Sequence, residues 1–224
     1  MEHASAAAPT NNRPSSLPTA IALGAIVAGV VLRAIEFTRS RPLWLDEAML
    51  ALNIASRPLA QLARPLDYDQ SAPLLYLWIE RLAVSVGGVT ERTLRLLPFV
   101  AAVALLPLSW VVVRRLVSVT AAAIATLLMA LSVALVSFGA EAKQYGVDPL
   151  ATMLVVWLAA RAADAPNDTR AWRRLAIGGI GCLLLSQPAV FVIGGALIAL
   201  ALDRNVRRSA VARRFAPPAT AVWA

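Results

Sequence analysis

The acidic residues of this chain are few, and two sets of them stand where carboxylates are costly. Asp46 and Glu47 follow the first long apolar run, and Asp148 opens a later one. An acid beside lipid is expensive to keep and marks a candidate functional site. Counting apolar runs, each set follows an odd number of crossings, so both are expected on the same side of a membrane. Two carboxylates brought together there would suit one of two chemistries: holding a divalent metal ion, or removing a proton from a reacting hydroxyl. The structural alternative for Asp46 and Glu47 is two acids complementing the dipole at a helix N-terminus. For Asp148, with Pro149 behind it, the alternative is a first-turn acid.

Basic and polar neighbours complete the candidate set. Lys143 and Tyr145 precede Asp148 by five and three residues, and Lys143 is the only lysine of the chain. A lysine there can hold a phosphate as a point charge, or simply snorkel as an interfacial anchor. Arg95, at the head of another apolar run, offers the same two readings. We group Lys143, Arg95 and Tyr145 as candidates for a phosphate. Asp67 and Asp69, just ahead of Gln70 and Pro73, could line a sugar or acceptor site, or could be turn residues. His3 is the only histidine and Cys182 the only cysteine, so histidine catalysis, thiolate metal clusters and an internal disulfide are excluded. No glycine-rich phosphate loop or dinucleotide fingerprint is present.

The elements that must position these residues follow from composition. Of 224 residues 59% are hydrophobic and 15% charged, with a mean hydropathy of +0.68. Lipid is the natural solvent for such a chain, and spanning segments of this kind must be helical. The expected fold is all-α: a polytopic transmembrane helical bundle, with interfacial helices in its first outer loop. Residues 1–16 read as a disordered cytoplasmic tail, 17–202 as the transmembrane domain with an outer loop at 38–92, and 203–224 as a basic cytoplasmic tail leading towards a further span. Spans are expected at 17–37, 96–113, 116–140 and 145–160. Residues 44–55 and 72–86 look helical but too polar to span, since a crossing takes about 20 apolar residues. They suit the interface, with Trp44, Tyr68, Tyr76 and Trp78 at headgroup level. Residues 175–202 would make one helix about 42 Å long. Arginines at both ends favour instead a hairpin of two short helices turning at Gln187 and Pro188. The net charge of +8 flanks apolar runs, which speaks for topology signals and against a nucleic-acid face.

The order of these features resembles the GT-C glycosyltransferases, in particular glycosyltransferase family 39, which includes the protein O-mannosyltransferases and the bacterial aminoarabinose transferases acting on lipid A. Four segments within roughly residues 20–205 carry the resemblance. They are Leu43 to Ala48 (with Trp44, Asp46 and Glu47), Ser71 to Tyr76 (with Pro73), Glu91 to Pro98 (with Arg95), and Glu141 to Pro149 (with Lys143, Tyr145 and Asp148). The resemblance implies a sugar donor linked to polyprenyl phosphate, a lipid, glycan or protein acceptor, and transfer on the extracytoplasmic face. It implies that Asp46 is the essential acid of the first outer loop, acting as general base or as part of a metal and acceptor site. Asp148 would be a second essential acid, with Lys143 holding the donor phosphate. A divalent metal on Asp46 and Asp148 is the one cofactor expected, membrane lipids are expected partners, and nucleic acid is not. High Ala and Arg usage points to a bacterial gene and hence to a multi-pass protein of the bacterial inner membrane. Two other readings remain: a non-catalytic relative that packs with a partner, and a transporter whose intramembrane acid is Asp148.

Overall fold

The computed structural model describes residues 16–39 and 41–215, and among them every regular element is helical. In chain order the α-helices are α1 Ser16–Thr38, α2 Leu45–Ser56, α3 Leu74–Gly87, α4 Glu91–Leu116, α5 Val119–Leu131, α6 Val133–Phe138, α7 Val147–Asp164, α8 Thr169–Leu185, α9 Ala189–Leu202, α10 Arg204–Arg208 and α11 Ala212–Phe215. Short 3-10 turns lie at Leu59–Ala63 and Gln144–Gly146. The chain is thus the all-α helical membrane bundle its composition calls for. Three segments are long and apolar enough to cross a bilayer: Ser16–Thr38, Glu91–Leu116 and Gln144–Asp164. The tail at 1–15 and the residues beyond 215 lie outside the described residues.

Caps set the helix boundaries. Thr90 accepts the Thr93 N–H at 3.1 Å to start α4, Ser118 accepts the Ala121 N–H to start α5, and Asp168 accepts the Arg170 N–H at 2.8 Å to start α8. Each satisfies one of the orphan donors of a first turn. Arg114 and Arg115 close α4 on the dipole's negative end, as the charge pattern requires.

Two expectations need correction. The apolar run 116–140 is not one helix. It breaks at Ser132, whose extended backbone (ψ 115°) ends α5 and whose hydroxyl caps α6. The physical reason lies far away in sequence. A helix end leaves its last carbonyls without intrahelical donors, and Arg33 of α1 supplies them. Its Nη2 donates to the Met129 carbonyl at 3.0 Å, and its Nη1 to those of Ala130 and Gly29 at 3.2 and 3.1 Å. Tyr76 also does not face outward as an interfacial aromatic would. It is fully buried, on the α3 face that also carries Leu77, Glu80 and Val84.

Residues 175–202 do form two helices, α8 and α9, parted at 186–188, and both pack on α7. Cys182 and Ala189 share a cluster with Ala151 and Val155, while Leu175 and Leu200 share another with Leu158. α1 closes on α4 and α5 at Gly29, where an added Cβ would stand 2.7 Å from Leu106 Cδ1 and 2.9 Å from the Ala130 Cβ. Small residues let apolar helices approach this closely. α2, α3 and the 59–63 turn are too short to cross. They cap one end of the bundle through a core of Leu50, Ile54, Leu62, Leu77, Leu94 and Val147, which fixes the first loop against α4 and the start of α7.

Candidate functional site

The site is built where that loop meets the turn before α7. Its centre is Glu47, 2% exposed. Glu47 Oε2 accepts the N–H of Trp44 at 2.8 Å, and Oε1 accepts the N–H of Ala142 at 2.6 Å. The first bond is the return half of a capping box and sets the start of α2. The second spans 95 residues and ties the loop to the later turn. Arg95 supplies the counter-charge, with Nη2 3.3 and 3.4 Å from the two carboxylate oxygens. Its Nη1 donates to the Arg41 carbonyl at 2.6 Å. A buried charge is tolerated when it is paired and hydrogen-bonded, and Glu47 meets both conditions.

Asp46 has the opposite environment. Its side chain is 57% exposed. Oδ1 accepts the Glu47 N–H at 2.9 Å, and Oδ2 lies 3.4 Å from the Lys143 ammonium. Lys143 is buried except for this contact edge, and its Nζ donates to Gln70 Oε1 at 2.6 Å. Gln70 is delivered by a turn in which Tyr68 (φ 62°) and Asp69 (φ 52°) both take left-handed backbone, a strained choice for residues that are not glycine. Asn53 of α2 holds that turn, with Nδ2 donating to the Asp67 carbonyl at 3.2 Å and Oδ1 accepting the Asp67 N–H at 2.9 Å.

The sequence-derived candidates therefore separate. Asp46, Glu47, Lys143 and Arg95 come together from three distant segments. Asp67 and Asp69 belong to the turn, and the Asp67 carboxylate is spent on Arg57 at 2.8 Å. Tyr145 is exposed, with its ring 5.6 Å from that of Phe138. Asp148 sits in the first turn of α7 with Oδ1 buried and unpartnered. The Arg95 guanidinium, offered by sequence to a phosphate, is turned inward on Glu47 and a backbone carbonyl.

The acids at this end of the molecule also act on one another's titration. Burial pushes the Glu141 carboxyl up, Glu47 and Asp46 add to the shift, and Arg41 and Arg95 oppose it. Burial pushes the Tyr76 phenol well up, and Glu80, Glu47 and Asp148 raise it further. Glu80 is fully buried, neither of its oxygens has a partner, and burial pushes it up to about 8. Sequence reasoning missed Gln70, Glu80 and the buried role of Tyr76. Tyr76 and Glu80 are one helical turn apart, a spacing that puts both on one face, and this was the available signal.

Among the described residues no group of three or more His, Cys, Asp or Glu side chains is placed to hold a metal ion. The cation facing Asp46 is the Lys143 ammonium.

No curated protein and no solved structure matches the chain. The family model of the dolichyl-phosphate-mannose-protein mannosyltransferases matches residues 71–222. That stretch holds Arg95, Lys143 and Asp148, and begins one residue after Gln70 and well after Asp46 and Glu47. With more than half of its length matched, the chain belongs to the dolichyl-phosphate-mannose-protein mannosyltransferase family, a family of membrane glycosyltransferases.

Proposed function

We propose that the protein moves a sugar from a polyprenyl-phosphate donor to a hydroxyl of a lipid, glycan or protein acceptor. The reaction is placed on the extracytoplasmic face of the bacterial inner membrane. The observation that carries this reading is the contact between an exposed carboxylate and a shielded ammonium, Asp46 and Lys143 at 3.4 Å, in a chain of this family. The acceptor oxygen forms a bond to the anomeric carbon as the bond from that carbon to the phosphate oxygen breaks. Asp46 takes the hydroxyl proton. The electron pair leaves on the polyprenyl phosphate, whose charge Lys143 receives, so no general acid is needed. Attack opposite the leaving group inverts the anomeric centre.

The remaining residues position these two. Gln70 aims the Lys143 ammonium, while the Glu47 and Arg95 pair fixes the backbone on either side of Asp46. Asp148, whose buried Oδ1 has no partner, is the second acid of the proposed site. No step needs a metal.

The test is release of polyprenyl phosphate from a panel of polyprenyl-phosphate sugars by the purified protein in nanodiscs. Asp46→Asn is expected to lower turnover by at least about a hundredfold, the usual worth of a positioned base. Turnover that survives the substitution removes Asp46 from the chemistry.

A further inference from the structure

At the end of the bundle opposite the site, the ends of α7 and α9 and the start of α8 meet two short helices, α10 and α11, that fold back beneath them. The fold-back is built, not loose. The Pro166 carbonyl accepts both Trp172 Nε1–H at 3.0 Å and the Ser209 hydroxyl at 2.6 Å. The rings of Trp172 and Phe215 stack with centroids 6.4 Å apart, and Val206 and Ala212 are buried in the same cluster.

What this cap presents outward is almost wholly arginine. α8 contributes Arg170, Arg173 and Arg174 from its first turns, α10 contributes Arg204, Arg207 and Arg208, and α11 contributes Arg213 and Arg214; all are exposed. Among the described residues none of these eight has a carboxylate within ion-pair distance. The nearby acids are engaged elsewhere. Asp168 and Asp203 accept backbone N–H bonds as helix caps, and Asp164 pairs with Arg115. A set of guanidinium groups without carboxylate partners lies where α7, long and apolar enough to cross a bilayer, and the apolar α9 both end. The guanidinium fork matches phosphate oxygens in pairs.

We propose that the cap formed by α10, α11 and the start of α8 is a binding platform for the phosphate headgroups of anionic membrane lipids. It is distinct from the transferase site and does not depend on that reading. Each arginine near an anionic surface strengthens such binding by about fivefold, from roughly 1 kcal/mol per charge.

The experiment titrates phosphatidylglycerol or phosphatidylcholine into the full chain in uncharged detergent and counts bound lipids by native mass spectrometry. The wild type is expected to bind phosphatidylglycerol at least about tenfold more tightly than phosphatidylcholine, in keeping with several engaged arginines. Replacing Arg207, Arg208, Arg213 and Arg214 with Gln should abolish that preference, and lysine at the same positions should keep only part of it. A second variant, with Arg170, Arg173 and Arg174 changed to Gln, covers the case in which the first does not fold. Equal binding of the two lipids by the wild type overturns the proposal, as does an undiminished preference in a folded variant. Displacement of the lipid by millimolar inorganic phosphate would overturn the assignment to a lipid headgroup.

Discussion

Asp46 and Glu47 are adjacent in sequence and opposite in environment. Glu47→Gln removes the charge facing a buried Arg95. Breaking a buried pair from one side costs about 3–5 kcal/mol, so this variant should unfold at a clearly lower temperature, measured by thermal scanning in nanodiscs. Asp46→Asn, at a position 57% exposed with Lys143 still held by Gln70, should cost clearly less stability than Glu47→Gln while losing turnover. Equal destabilisation by the two would deny them separate roles. Glu80 gives a prediction in pH. Its carboxyl is raised from 4.5 to about 8, so between those values the folded state holds a proton that the unfolded state has released. Stability is then greatest below the unfolded value and falls by about 1.4 kcal/mol per pH unit until the folded value is passed. Glu80→Gln should remove that slope and leave the variant the more stable at pH above 8, read as thermal midpoints across the range. A wild type and variant that fall in parallel would rule this out. At this scale the sequence announced Asp46, Glu47, Lys143 and Asp148, because charges beside apolar runs are conspicuous. It could not announce Gln70, a neutral residue that matters only because a left-handed turn carries it to Lys143.

The helices were legible wherever an apolar run had a polar cap at its end, as with Thr90 before α4 or Asp168 before α8. The break in 116–140 was not, since Ser132 in an apolar run carries no local instruction to stop. The instruction comes from Arg33, 96 and 97 residues away from the carbonyls it serves. An arginine inside an apolar helix would ordinarily suggest an ion pathway. Here its charge is offset by three carbonyls, and it behaves as a cap supplied by a neighbouring helix. Arg33→Ala should therefore leave the Met129 and Ala130 carbonyls buried without a donor. The expected cost is about 1–3 kcal/mol per group left unpaired, seen as a lowered thermal midpoint. Hydrogen exchange should also quicken at the end of α5, where these carbonyls lie. A variant as stable as wild type would mean that the break at Ser132 holds itself.

Across the whole molecule, the arginine cap and the candidate site lie at opposite ends of one bundle. The candidate site draws on segments around residues 46, 70, 95 and 143, and the arginine platform on 170–174 and 204–214. Counting apolar runs put the first loop and the turn before α7 on one side, and the Glu47 to Ala142 hydrogen bond does join them, although the run between α4 and α7 is broken into α5 and α6. Parity alone cannot give the contacts, which depend on a carboxylate reaching 95 residues along the chain. The same parity makes a prediction about orientation. Cys182 is the only cysteine and is buried, so a Cys182→Ala background is silent to a membrane-impermeant thiol reagent. In that background Asp69→Cys and Asn167→Cys place single thiols at exposed positions on the two ends. In intact cells the first should react and the second should not, and inverted vesicles should reverse the pattern. The positive charge concentrated at the 170–214 end sets this expectation, since arginine-rich segments are retained in the cytoplasm. Labelling of both sites from one side would mean that the two ends do not lie across a bilayer. Labelling in the reverse sense would put Asp46 in the cytoplasm, where a donor displayed on the outer face could not reach it.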